Sequence, residues 1–221
     1  MKKIAILLLF LSSLRSYADT VISESLESHG RNITMTLKIK GDKIRIDASP
    51  MVSIIMDITT GDSLSIIHPQ KSYMKISGAQ QKAIIDLMKK SSTPAEKPNI
   101  VDTGKSEKVG NFNAEIYTLN TPTSNLTLWI TKDIPNDVVE KLRQFQKMKP
   151  TGAAGVFAPD TSDLPGIPVK TQIVKGAETI TITILSVEEK AIDDADMAPP
   201  AGYKEISMPN LGGAGGPPAN Q

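Results

Sequence analysis

Apolar and polar residues alternate through most of this chain. Over residues 32–40, Ile33, Met35, Leu37 and Ile39 take every second position against Thr34, Thr36, Lys38 and Lys40, the period of a strand with one buried face. Residues 21–28 precede this stretch across His29-Gly30-Arg31, and 44–47 follow it across Gly41-Asp42; both gaps are short enough for antiparallel hairpins. The stretches 53–59, 64–68 and 72–76 continue the series, with turns at Thr60-Gly61-Asp62 and Pro69-Gln70-Lys71. Strands in such a sequence lie side by side, so this part predicts an antiparallel meander forming a broad, twisted and curved sheet.

The period changes twice. Ser77-Gly78-Ala79-Gln80 reads as a capping box that opens a helix running to about Lys90, with Ile84, Leu87 and Met88 as its apolar stripe. A Ser/Thr/Pro-rich loop over 91–98 follows, and strands resume at 100–109, 114–119 and 126–131. A second helix is predicted from about Asn136 to Lys149, where Val138, Leu142 and Phe145 share a face and Pro150 stops it. Residues 152–165 read as irregular, and 169–175 with 179–187 as a closing hairpin across Gly176-Ala177. The tail 209–221 holds Gly, Pro, Asn and Ala with little to bury and is expected to be disordered. The fold class is mainly β (α+β): a half-open curved antiparallel sheet with two helices over its concave face.

The first residues change the picture from fold to address. Lys2 and Lys3 precede an unbroken apolar run over 4–11, and Ser16-Tyr17-Ala18 supplies small residues before a cut, which together predict a secretory signal peptide over 1–18. The run is about half the ~20 residues a spanning helix needs, so no integral membrane anchor is expected. With no cysteine in the chain, the acylated cysteine of a bacterial lipoprotein is excluded. The mature protein is expected to be one domain over 19–208, periplasmic or secreted. Removing the leader takes Lys2, Lys3 and Arg15 from 25 basic residues and leaves 22 against 24 acidic ones, a balance unsuited to nucleic acid.

A set of landmarks runs through the chain in order: Gly110 with Ile116-Tyr117; Leu126-Thr127-Leu128-Trp129-Ile130-Thr131-Lys132-Asp133-Ile134-Pro135; Leu164-Pro165-Gly166-Ile167-Pro168-Val169; and Pro200-Ala201-Gly202-Tyr203. In these the chain resembles the exported bacterial DUF4412 family, which is similar in turn to the periplasmic lipoprotein carriers LolA and LolB and the sensor RseB. The resemblance implies a half-open β-barrel with helices over its concave face, and no particular activity. Where that family often has an aromatic before the last landmark, this chain has Met197.

A curved sheet with one apolar face needs cover, and the two helices are the cover available. If they close tightly the interior is core; if not, the space is an apolar cleft fit for an acyl chain. The residues expected to line it are Met35, Leu37, Ile46, Met56, Met74, Ile84, Leu87, Met88, Leu128, Leu142 and Phe145, with the methionines suited to an adaptable wall. Trp129 alternates with Leu128 and is placed on the other face, either covered by a loop such as 152–165 or open to a partner.

Candidate chemistry is sparse. His29 lies in a hairpin turn and His68 at a strand end; both read as solvated, outside any Ser, His and acid arrangement that the sequence can place. There is no HExxH, and Asp193, Asp194 and Asp196 lack the glycine and glutamate of a calcium loop. No enzyme, metal or cofactor is expected. The glycosylation triplets at Asn32 and Asn125 carry no weight in a chain read as bacterial. Two readings stand: a soluble carrier or chaperone for a lipid or acylated protein, and an envelope protein-interaction or sensor module with a closed core.

Overall fold

The computed structural model describes residues 19–91, 99–121, 124–148 and 164–207, without the side chains of 88–91. The predicted leader, the tail from 209 and most of the loops 91–98 and 152–165 therefore lie outside the described residues. The meander is present as β1 (Thr20–Ser28), β2 (Arg31–Lys40), β3 (Lys43–Ser49), β4 (Val52–Asp57), β5 (Ser63–Ile67) and β6 (Ser72–Ile76). Helix α1 (Gly78–Ser91) follows, then β7 (Ile100–Val109), β8 (Phe112–Asn120) and β9 (Asn125–Thr131), helix α2 (Asn136–Met148), and β10 (Ile167–Lys175), β11 (Glu178–Glu189) and the two-residue β12 (Lys204–Glu205).

Local chemistry accounts for the ends of these elements. The capping box works as read: Gln80 N donates to Ser77 Oγ at 3.2 Å, and Ser77 N donates to Gln80 Oε1 at 2.9 Å. Pro69 sits in a short 3-10 turn over His68–Gln70 that ends β5 one residue earlier than the pattern suggests. At Gly166 a Cβ would collide with the carbonyl oxygen of Thr131, so only glycine lets the chain pass β9 on its way into β10.

The twelve strands of the described residues form one sheet in the order β12-β6-β5-β4-β3-β2-β1-β11-β10-β9-β8-β7. Every pairing is antiparallel except the short contact of β12 with β6. The closing hairpin thus returns to the N-terminal strand, Ile22 facing Val187 and Leu26 facing Ile182, and joins what the sequence showed as separate groups of strands. Two edges, β7 and β12, stay unpaired with each other, so the sheet is curved but open.

Both faces carry apolar clusters. On one, α2 buries Val138, Val139, Leu142 and Phe145 against Ile22, Leu37, Ile39, Ile44 and Met56, the one-sided stripe of an amphipathic helix. On the other, residues 190–206 form a strap in which Ile192 and Met197 pack on Ile55 and Ile66. Met197 is buried, so the methionine itself fills this place in the strap's contact with the sheet. Ion pairs hold the strap: Lys38 Nζ meets Asp196 Oδ2 at 2.8 Å, Lys40 Nζ meets Asp194 Oδ1 at 3.0 Å, and Arg45 donates to the Asp196 carbonyl at 2.8 Å.

Candidate functional site

Leu37, Met56, Leu142 and Phe145 meet in the α2 cluster, with Ile46 against its margin. This end of the interior is closed. The cavity beside it, lined by Phe112, Ile134, Val138 and Val187 with carboxylates of Asp133, Asp137 and Glu189 at its walls, holds about 180 Å³. That is below the ~300 Å³ at which ligand pockets begin. Met35 is buried and Met74 half-buried, both on the helix-bearing face: Met35 alternates with Leu37, and Met74 faces Ser65 in the cross-strand row Leu37, Ile46, Ile54, Ser65.

Two expected positions, Leu87 and Leu128, fall elsewhere. Leu87 is 68% exposed and lines nothing. The side of α1 that turns inward is marked by Gln81, whose Oε1 accepts from Ser63 Oγ at 3.1 Å and whose Nε2 donates to the Met148 carbonyl at 3.4 Å. Six residues on, at about 100° per residue, Leu87 lies some 120° away from that side, whereas Ile84 and the overlooked Ile85 are half-buried. The side chain of Met88 lies outside the described residues. Leu128 is fully buried, but with Tyr117, Ile130 and Leu164 rather than with α2; it is Trp129 that joins the α2 cluster. Trp129 is buried, donates from Nε1 to Glu107 at 2.9 Å and has Lys170 Nζ 4.3 Å from its ring centroid, so it offers no open surface.

Beyond α2 the apolar face continues. Directly paired residues share a face, and the pairings give one uninterrupted row: Tyr117, Leu128, Thr171, Ile182, Leu26, Ile33. A second row beside it runs Leu119, Leu126, Ile173, Ile180, Ser28, Arg31. Ile33 alternates with Met35 and Leu37 on the unbroken strand β2, which ties both rows to the helix-bearing face. Burial falls along them: Leu119, Leu126 and Leu128 are buried, Ile173, Ile180, Ile182 and Leu26 are half-buried, and Ile33 is 42% exposed. The alternation of β1 and β11 was visible in the sequence, but their pairing was not, so no sequence reasoning assembled this strip.

Under the strap lies a polar network that the sequence reading also missed. His68 is not solvated: Nε2 lies 2.8 Å from Ser53 Oγ and Nδ1 3.0 Å from the Tyr203 hydroxyl. Ser53 Oγ donates to Asp47 Oδ1 at 2.6 Å, and Arg45 holds both, donating to Asp47 at 2.7 Å and to Ser53 at 3.2 Å. With the serine proton directed at Asp47, the His68 Nε2–H donates to Ser53 and Nδ1 accepts from Tyr203. A hydrolytic triad is wired differently, with the acid on histidine and histidine accepting from serine; here Ser53 is moreover 1% exposed. The network fastens the strap. His29 is exposed as expected, 3.6 Å from Glu178. Among the described residues no group of His, Cys, Asp and Glu is arranged to hold a metal, and no helix is long and apolar enough to cross a membrane.

The profile of a family described as a domain of unknown function, DUF4412, matches residues 21–203. No curated protein matches the sequence. Among solved structures, PNGF-II is similar at 13% identity and a TM-score of 0.47, over 88% of this chain and 31% of its own. The MucA/MucB complex of Pseudomonas aeruginosa is similar at 8% identity and a TM-score of 0.38, over 83% and 56%. A DUF1329 family protein from Desulfovibrio piger is similar at 11% identity and a TM-score of 0.30, over 82% and 90%. The chain thus spans about a third of the first structure and little over half of the second.

Proposed function

The chain belongs to the DUF4412 family, and on the geometry above we propose that it is an exported protein that binds a hydrophobic ligand, a lipid or the acyl chain of a lipoprotein, as a carrier or chaperone. The observation that carries this reading is the strip of Leu26, Ile33, Ile173, Ile180 and Ile182, left half-covered on the concave face while the α2 end is packed shut. A contiguous apolar surface of this kind is costly to leave in water and marks an interaction site. Each methylene that an acyl chain buries on it contributes about 0.8 kcal/mol. The ligand site of this reading lies beyond α2. Catalysis has no part in this reading.

Protein purified from its own host and weighed intact by native mass spectrometry is expected to carry copurified lipid. The chain is expected to start at Asp19 with no acyl group attached. A bare mass, together with no uptake of a fluorescent acyl probe after delipidation, overturns the carrier reading. The closed α2 core would then favour the second one, a protein-interaction or sensor module acting through its outer surface.

A further inference from the structure

We infer that the strip takes a single-chain anionic amphiphile, with the chain lying across the strands and the acidic head at Arg31; this rests on the hydrophobic-ligand reading above. The half-covered part of the strip crosses four neighbouring strands, β10 to β2, and at about 4.8 Å per strand it extends about 14 Å. A long-chain acyl group covers that length and a short one leaves part of it bare. The strip has a direction. Towards β9 the row is closed under Leu164, so the chain terminus points to that side and stops at Ile173 and Ile182, and the β2 end reaches solvent at Ile33, where a hydrated head can stay wet.

Charge at the two places agrees with that direction. Arg31 ends the second row on the same face as Ile33, is exposed, and has no carboxylate partner among the described residues. Glu178, on the neighbouring hairpin, lies 3.6 Å from His29. The carboxylate of Glu24 lies deeper on this face, opposite Met35, and is itself engaged; it repels an anionic head from the inner end. A guanidinium free to grip a carboxylate or phosphate in two parallel bonds is the group suited to such a head.

The test is displacement of a fluorescent acyl probe from the delipidated protein by palmitate, by hexadecanol and by decanoate, in the wild type, Arg31→Gln and Ile182→Glu. Palmitate is expected to bind about tenfold tighter than hexadecanol, as one charge-assisted contact allows, and decanoate more weakly than palmitate. Arg31→Gln is expected to erase the preference for the acid and Arg31→Lys to restore part of it. Equal binding of acid and alcohol, unchanged by Arg31→Gln but lost in Ile182→Glu, overturns the head-group assignment and leaves the hydrophobic site standing. Decanoate equal to palmitate overturns the chain length. No binding of any probe overturns this inference together with the function it rests on.

Discussion

At the scale of single residues, the most constrained positions lie away from the strip. Gly166 has no room for a Cβ against the Thr131 carbonyl. Gly166→Ala must move backbone, an overpacking cost of about 1–3 kcal/mol that corresponds to a loss of about 3–10 °C in Tm for a chain of this size. A melt within a degree of wild type would show that β9 and β10 can part freely there. Lys38 donates to Asp196 and holds its carboxyl below the ordinary value, with Arg45 adding a smaller attraction and partial burial opposing both. A carboxyl whose folded pKa is depressed stabilises the fold above its unfolded value near 3.9, and that stability is lost as pH falls through the folded pKa. Lys38→Met should therefore lower stability at neutral pH by less than about 1 kcal/mol, since Asp196 is 43% exposed, and the difference from wild type should vanish as pH falls through the folded pKa. Chemical denaturation at pH 3 to 7 reads this, and a difference that stays the same across that range would contradict the latch role of the pair.

The two helices behave as opposites although both were legible as amphipathic segments. Helix α2 has its whole stripe in the core, and Phe145→Ala should cost about 3–5 kcal/mol, whereas Leu87→Glu on exposed α1 should change stability by no more than about 0.5 kcal/mol. Urea unfolding of the two variants checks the contrast; a strongly destabilised Leu87→Glu would mean that α1 is pinned by that side chain. Period and capping located the strands, both helices and the Ser77–Gln80 box because these are local interactions. Which face each residue takes depended on long-range events. Leu128 is buried among Tyr117, Ile130 and Leu164 rather than in the α2 cluster, and the docking of Gln81 on Ser63 turned Leu87 outward.

For the molecule as a whole, the decisive contact is the return of β11 to β1, which no local pattern announces because it joins strands about 160 residues apart. That pairing makes a continuous twelve-stranded sheet and lines up Leu26, Ile33, Ile173, Ile180 and Ile182 from separate stretches of chain into one strip. The division of labour follows from the two faces. The strap and its His68, Ser53 and Tyr203 network close one face, and α2 packs on part of the other, with the strip half-covered beyond it. Methyl NMR with a nitroxide-labelled long-chain fatty acid locates the ligand directly. Methyl signals of Leu26, Ile33, Ile173, Ile180 and Ile182 should broaden on titration while those of Ile39 and Ile44 in the α2 core stay sharp. Broadening centred on the α2 core, or none anywhere at saturating ligand, would contradict a lipid site on this face.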